Sequence, residues 1–169
     1  MSDARAEHQA QIASITIAAF EQKYGSGEGE AALIAALRAD GDVIVELVAL
    51  EDEQVIGHAL FSRMRAMPGR AVAALAPICA RTDRQKIGVG TTLIRAGLAA
   101  CRAQGIQAVV VLGDPDYYAR FGFSAELARP LICVYAGPHL QALELEQGAL
   151  SGVKEIVYAG AFAAAAGES

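Results

Sequence analysis

Arg84-Gln85-Lys86-Ile87-Gly88-Val89-Gly90-Thr91-Thr92-Leu93 is the stretch on which the fold turns. It follows an apolar run, Ala71 to Ala80, and opens a segment in which Leu93, Ile94, Gly97, Leu98 and Cys101 share one stripe of a helix. Beyond that helix, Ala108-Val109-Val110-Val111-Leu112 is a continuous apolar run, the pattern of a strand covered on both faces. Strand, glycine turn, helix and buried strand make a βαβ unit, which has to be parallel and right-handed. The turn leads into a helix N-terminus with unpaired N–H groups and positive partial charge. Gly88 and Gly90 let an anion approach that backbone closely. The spacing is neither a Walker A loop, which needs Gly-Lys-Ser/Thr, nor a dinucleotide fingerprint, because Leu93 stands where a third glycine belongs. A structural turn and a phosphate cradle both fit these residues taken alone.

The chain of 169 residues suits a single domain, 1–169, with enough length for a hydrophobic core. Apolar residues at 54% against 20% charged describe a globular chain, not a disordered one. A formal charge of −5 excludes the basic footprint of sequence-independent nucleic-acid binding. No apolar run reaches membrane-spanning length, and residues 1–20 carry no signal-peptide pattern, so a cytoplasmic protein off the membrane is expected. Cys79, Cys101 and Cys133 are odd in number and widely spaced, as suits reduced thiols. His8, His58 and His139 have no metal-ligand spacing, so no metal is expected.

Apolar periodicity predicts helices over roughly Glu7–Phe20 and Glu30–Ala39, with a glycine-rich connector from Tyr24 to Gly29. Val43–Leu50 and Gln54–Met64 form a hairpin across Glu51-Asp52-Glu53, and Ala71–Arg81 returns as a third antiparallel strand. Pro77 inside that strand implies an edge, a bulge or a splayed pairing, with backbone near Ile78 and Cys79 free to bond something else. Asp114 suits an N-cap, Pro115 the first position of a short helix and Gly122 the residue past its end. Strands are predicted at Leu131–Tyr135, Leu140–Leu145 and Val153–Tyr158, and a frayed tail from Ala163 to Ser169.

Two motifs, Gln85-x-x-Gly88-x-Gly90 and Tyr117-Tyr118-Ala119-Arg120-Phe121-Gly122-Phe123, stand in an element order that resembles the GNAT-type N-acetyltransferases. The strings Val111-Leu112-Gly113-Asp114-Pro115 and Gly57-His58-Ala59-Leu60-Phe61-Ser62 look like a bacterial subgroup of predicted N-acetyltransferases, and the likeness covers about residues 7–162. The resemblance implies an α/β (α+β) fold: a mixed sheet with an antiparallel N-terminal meander and a central parallel βαβ unit flanked by helices. It implies acetyl-coenzyme A as co-substrate, a small-molecule or peptide amine as acceptor, and homodimerisation as a family habit. Carried over by position, Gln85, Lys86, Ile87, Gly88, Val89, Gly90 and Thr91 cradle a pyrophosphate. Backbone of Ile78, Cys79 and Ala80 bonds the pantetheine arm, and Tyr118 is the general acid for the departing thiolate. The family's first strand has no counterpart, since Met1–Ala6 does not read as one, and its asparagine after the buried strand is missing.

An alkyl amine is neutral only about once in 2,500 molecules at pH 7, so a base is wanted. Glu46 and His58, mid-strand among apolar residues, are both candidates. A transferase for a longer acyl-coenzyme A, and an acyl-coenzyme A sensor without turnover, use the same residues.

Overall fold

The computed structural model describes residues 1–167. Six strands form one mixed sheet in sequential order: β1 (Ser2–Asp3), β2 (Val43–Glu51), β3 (Gln54–Met64), β4 (Val72–Ala80), β5 (Ala108–Leu112) and β6 (Leu140–Glu144). Every neighbouring pair is antiparallel except β4 and β5, which run parallel. Helix α3 (Val89–Ala103) makes that crossover, as the opening stretch requires.

Helix α3 presses Leu93, Ile94, Leu98 and Cys101 onto Leu47, Phe61, Leu75 and Val109 on one face of the sheet. On the other face, α1 (Gln9–Tyr24) and α2 (Glu28–Ala39) bury Ile12, Ile15, Leu33, Ile34 and Leu37 against Val48, Val55 and Leu60. The short helix α4 (Pro115–Ala119) begins where β5 ends; the Asp114 side chain accepts from the Asp116 N–H at 3.0 Å, the expected cap. Small residues permit the close fit. A Cβ at Gly97 would run into the Phe61 ring, and one at Gly57 would sit 2.5 Å from Val89 Cγ1 and 2.9 Å from Leu93 Cδ1.

The structure corrects the sequence expectations in five places. Residues Ser2–Asp3 do form a first strand, antiparallel to β2, with the Ala4 N–H donating to the Glu46 carbonyl at 2.9 Å. Two residues held by an edge carry no periodicity to read. The glycine connector is shorter than expected, because α1 runs on to Tyr24 and Gly25 closes it in the left-handed conformation, φ 84°. Leu131–Tyr135 and Val153–Tyr158 are not strands. They meet in one isolated bridge (Ile132 with Glu155), a second ties Val157 to Arg65 just past β3, and Leu131, Val153 and Ile156 are buried by capping the α1/α2 side of the sheet's C-terminal half. Helix α5 (Ala125–Ala128), capped by Ser124, was not expected. The expected frayed tail is helix α6 (Gly160–Gly167), with Ala161 and Phe162 packed into the α1/α2 cluster; Glu168 and Ser169 lie outside the described residues. No helix among the described residues is long and apolar enough to cross a membrane.

Gly97→Ala tests the close approach of α3. Relief of the glycine helix penalty favours alanine by about 1 kcal/mol, whereas overpacking costs about 1–3 kcal/mol. With a ring in direct collision, the expected outcome is a net loss, read as a melting temperature lower by several degrees.

Candidate active site

Strands β4 and β5 pair from Val72 with Ala108 to Leu75 with Val111, and there the pairing ends. β4 continues to Ala80, still paired with β3 through Ala59–Ile78, His58–Cys79 and Gly57–Ala80, after a register shift opposite Leu75 to Ile78. This is the splay that Pro77 announces; the Ala76–Pro77 bond is cis. The Arg81 N–H donates to the Ile56 carbonyl on β3. Strand alternation therefore turns the backbone of Cys79 toward β3 and that of Ile78 and Ala80 toward the open side. Of the three residues expected to offer backbone groups there, two do. Cys79 instead points its thiol at Thr16 Oγ1, 3.6 Å away, and burial pushes that thiol up to about 11, the range of an inert sulfur.

Gln85, Lys86 and Ile87 form an exposed turn, and Gly88 follows at φ 92° as the residue before α3. No side chain caps α3, so the N–H groups of Val89, Gly90 and Thr91 lie open at its positive end. Lys86 also takes a positive φ, 63°, an unusual backbone for a residue with a Cβ. The other basic residues nearby are engaged: Arg84 bonds Glu51 at 2.6 and 2.9 Å, and Arg81 bonds Asp83 at 2.6 Å. The site left for an anion consists of backbone dipoles with Lys86 beside them.

Tyr118 is 8% exposed and shares one apolar cluster with Ile78, Val89 and Tyr117. The Tyr117 hydroxyl reaches the α3 N-terminus, 3.0 Å from where a Cβ on Gly90 would stand. Burial, and then the phenols of Tyr117 and Tyr24, push the Tyr118 hydroxyl well above the usual tyrosine range, so it stays protonated.

The two candidate bases sit on the α1/α2 face, across the sheet from Tyr118. Glu46 Oε1 lies 2.8 Å from His58 Nε2, and Arg38 holds the same carboxylate, its Nε 3.1 Å from Oε2. Burial raises the Glu46 carboxyl, but the hydrogen bonds and charges of His58 and Arg38 more than offset this and hold it at about 2. Nε2 faces the Glu46 carboxylate, and the other ring nitrogen, Nδ1, is buried without a partner among the described residues. Arg38 has no signal in sequence, since α2 carries it to Glu46 only in three dimensions.

Three comparisons bear on this arrangement. Residues 10–123 match the model of the acetyltransferase (GNAT) family. An Escherichia coli (strain K12) protein named "Uncharacterized N-acetyltransferase YhbS" is 36% identical over 135 residues, 77% of this chain and 80% of its own. The crystal structure of Escherichia coli YhbS in complex with CoA superposes with a TM-score of 0.86 at 31% identity, covering 96% of this chain and 90% of that one. A Brucella melitensis GNAT family acetyltransferase in complex with acetyl-CoA gives 0.77 at 33% identity, covering 95% and 96%.

The Glu46 cluster has a pH signature. Its folded value of about 2 lies below the ordinary 4.5, so its stabilisation is complete above pH 4.5 and is lost as pH falls toward 2. Glu46→Gln, which leaves Arg38 and His58 short of a buried acceptor, is expected to cost roughly 2 kcal/mol at pH 7. In denaturant melts the gap between the two proteins should narrow steadily below pH 4.5.

Proposed function

Since the chain belongs to the acetyltransferase (GNAT) family, we propose that it moves acetyl from acetyl-coenzyme A to a primary amine by direct attack, with Tyr118 as general acid. The observation that carries this reading is the open edge of β4. Ile78 and Ala80 offer backbone groups between an uncapped helix N-terminus and a buried phenol. Solved relatives bound to CoA and to acetyl-CoA support it. Residues 1–169 act as one acyl-transfer unit.

The pyrophosphate rests on N–H groups from Lys86 to Thr91, with Gln85 at the mouth of the turn. The pantetheine arm runs along Ile78 and Ala80, whose N–H groups also stabilise the oxygen as the thioester carbon becomes tetrahedral. Acetyl-coenzyme A supplies the activated acyl group. The amine nitrogen bonds the carbonyl carbon, the C–S bond breaks, and the Tyr118 proton goes to the thiolate. The ammonium proton passes to a base, for which His58 is the candidate, its ring oriented by Glu46. Glu46 itself, held at about 2 by two partners, is a poor proton acceptor and so a positioning residue.

Calorimetric titration with acetyl-coenzyme A tests the cradle. Saturable binding to the unaltered protein, abolished by Gly88→Glu in a variant that still melts cooperatively, is expected. No binding to the unaltered protein would mean that the glycine turn is structural. Tyr118→Phe should keep binding and lower kcat by about 10²-fold or more, the range of general acid catalysis. An unchanged kcat removes the acid role and leaves binding standing.

A further inference from the structure

Gly113 stands directly after β5, and its backbone does not need glycine's left-handed region. What it needs is space. A Cβ there would lie 2.6 Å from Tyr118 Cε2, 3.4 Å from Cδ2 and 3.6 Å from Cζ, so the Cδ2–Cε2 edge of the ring, next to the hydroxyl-bearing Cζ, lies against Gly113. Tyr117 meets the ring edge-on at 4.9 Å and Phe123 at 5.8 Å. The ring is thus caged by two aromatics and a peptide.

That peptide is itself pinned. The Gly113 N–H donates to the His139 carbonyl at 3.0 Å, and the Gly113 carbonyl accepts from Gln141 Nε2 at 3.0 Å. The same Nε2 donates to the His139 carbonyl at 3.1 Å. Gln141 is 1% exposed on β6, opposite Val111, so a buried amide locks the end of β5 to the start of β6. Two carbonyl acceptors fix which way the amide faces.

We propose that Gly113 and Gln141 are positioning residues that set the Tyr118 hydroxyl against the departing thiolate. The inference rests on the general-acid reading of Tyr118. Because the hydroxyl lies beyond Cε2, a side chain at 113 swings it out of line, and misplacement on the order of 1 Å costs up to about 10²-fold in rate.

The test is steady-state turnover of acetyl-coenzyme A with hydroxylamine, a small amine neutral at pH 7 that makes little demand on an acceptor pocket. Thiol release is followed after subtraction of the uncatalysed rate. Gly113→Ala is expected to lower kcat about 10- to 100-fold, with calorimetric affinity for acetyl-coenzyme A within about twofold of the original. In the Tyr118→Phe background it should cost nothing further, since no hydroxyl is left to misplace. Gln141→Met, which keeps the shape but removes both donors, should lose kcat in the same selective way. A structural role alone would lower the melting temperature and leave this pattern absent. Full kcat in Gly113→Ala, or an equal loss in both backgrounds, overturns the proposal while a slowed Tyr118→Phe still supports the acid. Full kcat in Tyr118→Phe overturns both.

Discussion

The parting of β4 from β5 is the constraint on which the rest of the molecule depends. Parallel neighbours place their C-terminal ends on the same side, and the two strands pair through only four registered positions before separating at Leu75. Pro77 cannot donate to a ladder, and it stands where the β3–β4 register shifts, between Leu75 and Ile78. Once the strands diverge, three features meet at one place: the N-terminus of α3, the free backbone of Ile78 and Ala80, and the start of α4 with Tyr118. None of these alone makes a site. A helix N-terminus without the open edge would hold a phosphate and nothing more.

Small residues set how tightly those features converge. Gly57 lets β3 come up to Val89 and Leu93, and Gly97 lets the Phe61 ring lie on α3. Both contacts fix α3 against the sheet, and thereby the height at which its N-terminus stands over the parted strands. The alanines of β4 and β5, Ala73, Ala74 and Ala108, are fully or almost fully buried. Ala73 faces α3, and a large side chain there would lift the helix from the strands, whereas Ala74 and Ala108 keep the opposite face thin beneath Leu131, Val153 and Ile156.

The parts of the fold legible in sequence are those whose burial is periodic. The βαβ unit, the meander of β2 to β4 and the caps of α4 all follow from local patterns and turn chemistry. Around β6, residues 124–139 and 146–158 carry no such pattern, because their apolar side chains cover a sheet face from loops, bridges and one four-residue helix, and such coverage has no period. In the site, Tyr118 and the glycine turn could be read from motifs, and the splay from a proline. The Arg38–Glu46–His58 cluster could not, since Arg38 arrives from another element and its partner is chosen by the packing of α2 on the sheet. Gln141 left a faint mark, a polar residue in an alternating strand at a position matched with the buried Val111.

Burial bears on the proton transfer in a way that isolated side chains do not reveal. In water a thiol at about 8.5 and a phenol near 10 leave transfer from tyrosine to thiolate uphill by roughly 2 kcal/mol. Here the Tyr118 phenol is raised further by desolvation, which taken alone would make it a poorer acid. In the proposed reaction, however, the leaving group would form in the same dry surroundings. Burial in this protein's interior pushes the Cys79 thiol to about 11 and the Cys101 thiol to about 12. A thiolate released beside Tyr118 would be subject to the same desolvation, so donor and acceptor would rise together. The elevated position of the phenol therefore does not count against the proposed acid role, because the acceptor it would serve would be raised by the same burial.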